Sequence, residues 1–305
     1  MRENNFIDMD VNNIQPALDK YLVSKMRQDI QQKNYDFMHG ALGVGLYYLK
    51  KGTNPEYITE LIDFLYNTAD KDFDSQIFRW ESIIDFEKNH NGYNLSLCHG
   101  ISSIIIFLVR VIKNGIFDEK VTEMLIGAVN YILSNEKDFS QLGSYFPNYI
   151  LINSNETVSK SRMAWCYGDL GNAIALWKAG KILENKKLEE KANEIFFQST
   201  RRRYFHETLV NDAGACHGSV GIAMIFRRIY LETNRNEFKE ATEYWINRTL
   251  NFSHFEDGLA GYKILEKDKW IHDYSLLTGI SGIGLLLLSY LKNGKQTWDE
   301  LFLLS

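Results

Sequence analysis

Apolar residues along the chain fall into two kinds of segment that alternate with each other. The first kind is almost continuously apolar, a pattern typical of a helix that is buried on most of its faces. Five such runs occur, at residues 44–49, 101–109, 173–177, 222–226 and 283–288. We therefore predict five buried helices.

Amphipathic segments separate these runs. Ile58, Leu61, Ile62 and Leu65 recur at helical spacing with charged residues on the opposite face, which predicts an outer helix with one face in solvent. The same pattern is found at residues 121–132, 188–197 and 238–250. Each repeat then pairs a buried inner helix with an exposed outer one. Short strand candidates occur only near residues 144–152.

A glycine motif precedes every buried run. Gly-x-x-Gly begins at Gly40, Gly168, Gly218 and Gly279, and a degenerate copy begins at Gly100, with first glycines 50 to 68 residues apart. Glycine permits a tight turn into a helix and close approach of neighbouring backbones. The repeats predict an all-α fold, an α/α toroid of helical hairpins whose inner helices start at these motifs. An open superhelix of helix pairs is the alternative.

Composition and charge narrow the class of protein. The chain has 305 residues and a net charge of −5, which argues against general nucleic-acid binding. Its longest apolar stretch, residues 280–291, is shorter than the ~20 residues of a membrane span. The N-terminal residues are acidic where an export signal requires apolar ones. We expect a cytoplasmic protein with one domain, 1–305, comprising a short N-terminal helical segment (1–34) and five repeats (35–305).

All three cysteines lie immediately before these glycine motifs. Cys98 and Cys216 each begin a Cys-His-Gly triplet with His99 and His217, and Cys166 precedes its glycine by two residues. An odd and low cysteine count is typical of a reducing compartment rather than of a disulfide framework. The shared position indicates a common role at one end of the repeats.

Thiolate and imidazole are the preferred protein ligands of zinc, and a catalytic zinc keeps three protein ligands and one open position. Cys166, Cys216 and His217 provide such a set. We expect the nearby helix N-termini to lower the pKa of both thiols. The alternative is that the cysteines are small buried residues, and this is our interpretation of Cys98.

One combination of motifs resembles a known family. Trp165-Cys166-Tyr167-Gly168 is followed 50 residues later by Cys216-His217-Gly218, among repeated glycine motifs. This arrangement resembles the lanthionine synthetase C-like (LanC-like) family, and the resemblance runs from about residue 34 through all five motifs. The resemblance implies a zinc-dependent cyclase that forms thioether rings in lanthipeptide precursors on an α/α toroid. Only about 35 residues precede the first motif, fewer than the family usually has, which leaves open a complete or a reduced ring.

The resemblance also implies site residues. It assigns the zinc ligands to Cys166, Cys216 and His217. The catalytic residues that it implies are His99, in a His-Gly motif, Asp36, in Tyr-Asp-x-x-x-Gly, Arg162, four residues before the first ligand cysteine, and Tyr167.

The implied reaction joins a cysteine to a dehydroalanine or dehydrobutyrine of the same peptide. Zinc takes the substrate thiol as its fourth ligand, the thiolate adds to the β-carbon, and the resulting enolate is protonated at the α-carbon. His99 is the candidate acid. Arg162 stabilises the enolate or holds His99 and Tyr167 in place, and Asp36 orients His99 or transfers a proton. The expected partners are a dehydrated precursor peptide with its leader and a separate dehydratase, with an exporter as a further candidate.

Each assignment has a simpler alternative. Asp36 is also well placed to cap the first inner helix, and Arg162 is also interpretable as a surface residue. We interpret His39 as packed rather than as a second acid. The basic run Arg201-Arg202-Arg203 is typical of the solvated end of an outer helix, with docking of an acidic leader as the weaker hypothesis.

Other functions fit parts of the same pattern. A LanC-like enzyme that adds an intermolecular thiol such as glutathione to dehydrated peptides would share the zinc site. A non-catalytic zinc-binding scaffold for modified peptides would retain its function without His99 and Asp36. A carbohydrate-active toroid would require paired carboxylates, and Asp36 is the only carboxylate among the candidate site residues.

Overall fold

A computed structural model describes residues 14–85, 87, 90–116, 118–152, 159–292 and 297–305. The packing divides the chain into two compact units, the first ending at Thr68 and the second running from Ala69 to Ser305. Residues 1–13 of the predicted N-terminal helical segment lie outside the described residues. The single-domain organisation stays a prediction.

The first unit is a set of three helices, α1 (Gln15–Gln31), α2 (Ala41–Lys51) and α3 (Pro55–Thr68). The inner helix α2 begins directly after Gly40, and α3 buries the predicted stripe from Ile58 to Leu65. Asp19 of α1 binds Tyr47 and Lys51 of α2. The first predicted pair of inner and outer helices is confirmed.

The second unit repeats this pairing. Its inner helices each begin after the first glycine of a motif: α4 (Ile101–Lys113), α7 (Asp169–Ile182), α10 (Ser219–Thr233) and α12 (Ile280–Leu291). The predicted outer helices are α5 (Glu119–Ser134), α8 (Lys186–Ser199) and α11 (Asn236–Asn251). Two one-turn helices, α6 (Phe139–Leu142) and α9 (Phe205–Thr208), follow α5 and α8. All four predicted outer helices are therefore confirmed.

The last repeat departs from the prediction. Leu288 and Leu291 of α12 are 55% and 76% exposed, although the sequence predicts a helix buried on most faces. The described residues after α12 contain no outer helix and form instead a 3-10 helix, Trp298–Phe302. One apolar face of α12 is therefore not covered by the described residues. None of the described helices is long and apolar enough to cross a bilayer.

Short antiparallel strands are the second difference. The described residues form a hairpin of β1 (Asp70–Asp72) and β2 (Ile77–Arg79), a sheet of β3 (Glu81–Asp85), β4 (His90–Asn94) and β5 (Tyr149–Leu151), and a hairpin of β6 (Ile264–Glu266) and β7 (Lys269–Ile271). Only β5 lies in the strand region expected from the sequence. Strands of three to five residues are too short to show a clear period of two. Lys267 and Asp268 form the β6–β7 turn at positive φ without the usual Asn-Gly signature.

Each inner helix is reached through a compact loop of seven residues that ends at the first glycine; we call these the entry loops, 34–40, 94–100, 162–168, 212–218 and 273–279. Four of them begin with Asn or Asp: Asn34, Asn94, Asp212 and Asp273. In each of the four, Oδ1 accepts the N–H two residues later, at 2.6 to 3.2 Å. The side chain therefore closes the loop from within, as an Asx turn. The third loop begins with Arg162.

The glycine that ends each loop is required by close packing. A Cβ at Gly100, Gly168 or Gly279 would collide with the carbonyl oxygen of the first residue of its own loop. The second glycine of the motif faces a similar limit, because a Cβ at Gly221 would collide with the Ala215 carbonyl. The Gly-x-x-Gly pattern therefore follows from how tightly each loop folds against its helix.

Candidate metal centre

Three side chains from two entry loops meet in the second unit. The ligand atoms of Cys166, Cys216 and His217 all lie within 4.8 Å of one another, and they form the one such cluster found among the described residues. Cys216 Sγ lies 3.7 Å from His217 Nε2. Zinc–sulfur bonds of about 2.3 Å and zinc–nitrogen bonds of about 2.0 Å at tetrahedral angles place two ligand atoms about 3.5 Å apart. The donor set and its spacing fit a zinc ion with one open position.

Main-chain hydrogen bonds hold the two cysteines in place. The Leu97 N–H donates to the Cys166 carbonyl at 3.0 Å, the Cys166 N–H to the Cys216 carbonyl at 3.4 Å, and the Cys216 N–H to the Leu277 carbonyl at 2.7 Å. These bonds join the entry loops of the second, third, fourth and fifth repeats in sequence. The position of each ligand is therefore fixed by the neighbouring repeats as well as by its own helix.

The thiol pKa values shift in the direction opposite to the one expected from the sequence. Burial raises the pKa of Cys166, with the neighbouring Cys98 thiol adding to the shift and Arg162 opposing it. A hydrogen bond with Cys166, together with burial, raises the pKa of Cys216. The Cys166 thiol accordingly donates to the Cys216 carbonyl at 3.1 Å. Because thiols bind metals as thiolates, uptake of a divalent cation releases these protons.

Two of the predicted catalytic residues lie side by side. The rings of His99 and Tyr167 have their centroids 6.0 Å apart, and both residues are half-buried. The His99 N–H donates to Ser96 Oγ at 3.1 Å, which ties it to the second entry loop. Cys98 is buried, as expected, and its thiol lies beside that of Cys166. The second and third entry loops thus bring together His99 and Tyr167, which directly follow Cys98 and Cys166 in the chain.

Arg162 is the third predicted residue at this place. Its Nη2 donates to the Leu209 carbonyl at 3.0 Å, whereas its Nε is buried with no hydrogen-bond partner among the described residues. Burial raises the pKa of both Cys166 and Asp212, and the positive charge of Arg162 opposes that rise. Arg162 therefore does not stand free on the surface, and its guanidinium is close to the ligand cysteine.

Asp36 belongs to the first unit. Its Oδ1 accepts the N–H groups of Met38 and His39 at 2.6 and 2.8 Å, inside the entry loop. The N-cap of α2 is Gly40, with no side-chain cap, so the alternative that Asp36 caps this helix is wrong. His39 is exposed, so the interpretation of a packed histidine is wrong. The catalytic role of Asp36 stays a prediction.

Sequence reasoning missed a buried ion pair beside the site. Arg202 Nη1 lies 3.1 Å from Asp169 Oδ2, and the two side chains are 3% and 1% exposed. The expectation of a solvated basic cluster is wrong, because Arg203 also covers the Tyr244 ring and only Arg201 is fully exposed. The sequence carries one signal of this ion pair. Asp169 is an acidic residue directly after the glycine at an otherwise apolar helix start.

The comparisons with known proteins agree with this architecture. The sequence model of the family described as lanthionine synthetase C-like protein matches residues 7–303. Among solved structures, nisin cyclase superposes with a TM-score of 0.75 at 20% identity, over 97% of this chain and 75% of that chain. At this identity the structural match establishes the fold, and it confirms the predicted class, an α/α toroid of helical hairpins with minor sheets.

Proposed function

Because the chain belongs to the lanthionine synthetase C-like family, we propose that it is a zinc-dependent lanthipeptide cyclase. The observation that carries this proposal is the cluster of Cys166, Cys216 and His217, which suits zinc and leaves one coordination position for a substrate thiol. His99, Tyr167 and Arg162 lie around the same cluster.

Cys166, Cys216 and His217 would hold the ion. Bound zinc supplies a positive charge that lowers the pKa of a coordinated thiol. Arg162 adds a second fixed positive charge beside Cys166. A substrate cysteine that enters this environment is therefore favoured as the thiolate.

The remaining chemistry needs a proton donor and a stabiliser of negative charge. The substrate sulfur bonds to the β-carbon of a dehydroalanine or dehydrobutyrine, the π electrons move to the carbonyl oxygen, and the α-carbon then takes a proton. Imidazole is suited to donate that proton near neutral pH, so His99 is the acid and Tyr167 orients its ring. Arg162 supplies the positive charge that stabilises the enolate oxygen.

The substrate of this proposal is a dehydrated precursor peptide that carries its leader. This substrate must already contain a dehydroalanine or dehydrobutyrine, and a separate dehydratase is the enzyme that would supply it. The cytoplasm, where thiols stay reduced, is the corresponding compartment. Asp36 of the first unit is the fourth catalytic residue of this proposal.

Elemental analysis of purified protein is the first test. We expect about one zinc per chain in the wild type and in Cys98→Ala, a matched control that removes a buried thiol outside the ligand set, and little zinc in Cys166→Ala/Cys216→Ala. Equal zinc in the double variant would show that the ligand assignment is wrong.

A peptide with one cysteine and one dehydroalanine then tests the reaction. Ring formation leaves the mass of the peptide unchanged and removes its reaction with N-ethylmaleimide. We expect this result with the wild type and a loss of about 100-fold or more in rate with His99→Asn at unchanged zinc content. A glutathione adduct without a ring would favour the intermolecular enzyme, and zinc binding without reaction would favour the scaffold.

A further inference from the structure

The third entry loop lacks the internal closure of the other four. Arginine has no side-chain acceptor, so Arg162 cannot form the Asx turn made by Asn94 or Asp212 at the same position. Gly168, which ends the loop, has a φ of +89°, whereas Gly100 and Gly218 end theirs at negative φ. Something other than the first side chain must hold this loop in its conformation.

The buried pair Asp169–Arg202 binds the third loop at both of its ends. Arg202 Nη2 donates to the carbonyl of Ser161, the residue before Arg162, at 2.9 Å. Asp169 directly follows Gly168 and accepts Arg202 Nη1 at 3.1 Å. One guanidinium therefore joins the residue that precedes the loop to the residue that follows it.

Asp169 is itself anchored by the main chain. Its carboxylate accepts the N–H groups of Tyr145 and Phe146, each at 3.0 Å. These donors come from a segment that also binds the loop, since the Ser161 N–H donates to Ser144 Oγ at 3.0 Å. The pair thus rests on a fixed backbone and not only on its own attraction.

The same arginine also fixes the acceptor of the Arg162 guanidinium. Arg202 Nη2 donates to the Glu207 carbonyl at 2.6 Å, and the Met163 N–H donates to the Thr208 carbonyl at 2.9 Å. The carbonyl of Leu209, the next residue, accepts a hydrogen bond from Arg162 Nη2 at 3.0 Å. Arg202 therefore holds both the backbone from which Arg162 extends and the segment against which its guanidinium lies.

We propose that Asp169 and Arg202 form a positioning pair that replaces the missing Asx turn and holds the Arg162 guanidinium at the metal centre. Buried ion pairs add little net stability over apolar residues of similar size, so positioning is the function that fits this one. The expected effect on kcat rests on the proposed function, whereas the placement of Arg162 rests on the structure alone.

A double-mutant cycle tests the kinetic part with the zinc-loaded protein and the peptide that has one cysteine and one dehydroalanine. Arg202→Met should lower kcat about 10- to 100-fold, with KM and zinc content nearly unchanged, because a small displacement of a catalytic group has effects of this size. If Arg202 acts through Arg162, Arg162→Ala/Arg202→Met should be no slower than Arg162→Ala. If the losses of kcat in the two single variants multiply in the double variant, the two arginines act independently and the proposal is overturned.

A matched control is available in the same unit. Arg228 and Asp299 form a second buried ion pair, with Nε 2.8 Å from Oδ2, that joins α10 to the 3-10 helix. Arg228→Met should lower thermal stability as Arg202→Met does and leave kcat unchanged. An equal loss of kcat in both would show that a general loss of rigidity, not positioning, is responsible. Asp169→Asn, which keeps the side-chain shape, repeats the test if Arg202→Met does not fold.

Chemical modification separates this proposal from the proposed function. Phenylglyoxal reacts with accessible arginines, and peptide mass mapping follows each site. Arg162 should react several-fold faster in Arg202→Met and in Asp169→Asn than in the wild type, with Arg201 unchanged. An unchanged rate at Arg162 would overturn the positioning pair, whether or not the wild type forms rings. Faster modification in a protein without cyclase activity would keep the pair and remove the proposed function.

Discussion

The third and fourth entry loops carry the two ligand cysteines at the same position, two residues before the glycine, yet they are closed in different ways. In the fourth loop the Asp212 carboxylate accepts the Gly214 N–H at 2.9 Å, and its carbonyl accepts the Ser219 N–H at 3.1 Å. In the third loop the equivalent position is Arg162, and the closing contacts come from Arg202, 40 residues further along.

This difference shows how a repeat makes room for a functional side chain. A loop that closes itself needs an Asx residue at its first position, so that position cannot also serve the metal centre. Moving the closure to Asp169 and Arg202 frees the position for Arg162. The third loop then depends on residues outside itself, whereas the fourth depends mainly on its own.

Gly168 gives the largest expected difference between the loops. Gly168→Ala places a Cβ against the Arg162 carbonyl at a φ of +89° that alanine rarely adopts. We expect a loss of about 3–5 kcal/mol in the free energy of unfolding, measured by chemical denaturation. Gly218→Ala should lose less, because its φ of −101° is open to alanine and only crowding remains.

The control for these glycines is Gly284 in α12. A Cβ there has no described atom within 4 Å and the residue is helical. Gly284→Ala should change stability by at most about 1 kcal/mol, in the stabilising direction. A Gly168→Ala protein as stable as Gly284→Ala would remove the argument from backbone conformation.

Asp169 gives the next largest effect, as a dependence on pH. Burial raises the pKa of Asp169 to about 6, against the opposing effects of Arg202 and the Phe146 N–H. The unfolded chain releases this proton near pH 4, so between about pH 4 and 6 unfolding releases a proton and the free energy of unfolding falls as pH rises. The fall is at most about 3 kcal/mol and ends above pH 6. Denaturation of the wild type and Asp169→Asn from pH 4 to 7 isolates it, and identical slopes would contradict this assignment.

The smallest effects come from exchanging the first residues of the loops. Asp212→Ala removes the Asx turn and should lose about 1–2 kcal/mol of unfolding free energy, whereas Asp212→Asn keeps an acceptor and should stay within about 0.5 kcal/mol of the wild type.

Arg162→Asn supplies the missing Asx residue to the third loop. We expect its free energy of unfolding to stay within about 1 kcal/mol of the wild type and its cyclisation activity to be lost. A strongly destabilised Arg162→Asn would show that the two loops are not interchangeable.

The parts predicted correctly rest on local signals. The stripe from Ile58 to Leu65 and the glycine motif at Gly218 are each readable within a few residues, so helices and their starts follow from the sequence. The Asx residue six positions before most of the glycines was an equally local signal that went unused. It would have marked Arg162 as the exception without any structure.

The parts that were missed depend on distant residues. The burial of Arg202 follows from Asp169, 33 residues before it. The acidic residue at an apolar helix start indicates that Asp169 has a buried partner, but no local pattern identifies that partner as Arg202. The predicted direction of the Cys166 pKa shift was wrong because burial raises this pKa, and burial is set by the assembled repeats. The exposure of Leu288 likewise depends on which helix covers α12.

The main-chain bonds from Leu97 through Cys166 and Cys216 to Leu277 couple the metal centre to local opening. Separating adjacent repeats from the second to the fifth breaks one of these bonds, and separating the third from the fourth also pulls the two cysteines apart. An ion that binds only the closed arrangement therefore raises the free energy of every such opening by the same binding energy. In hydrogen exchange, the amides of Leu97, Cys166 and Cys216 should gain protection together on zinc addition, as one cooperative unit spanning four repeats.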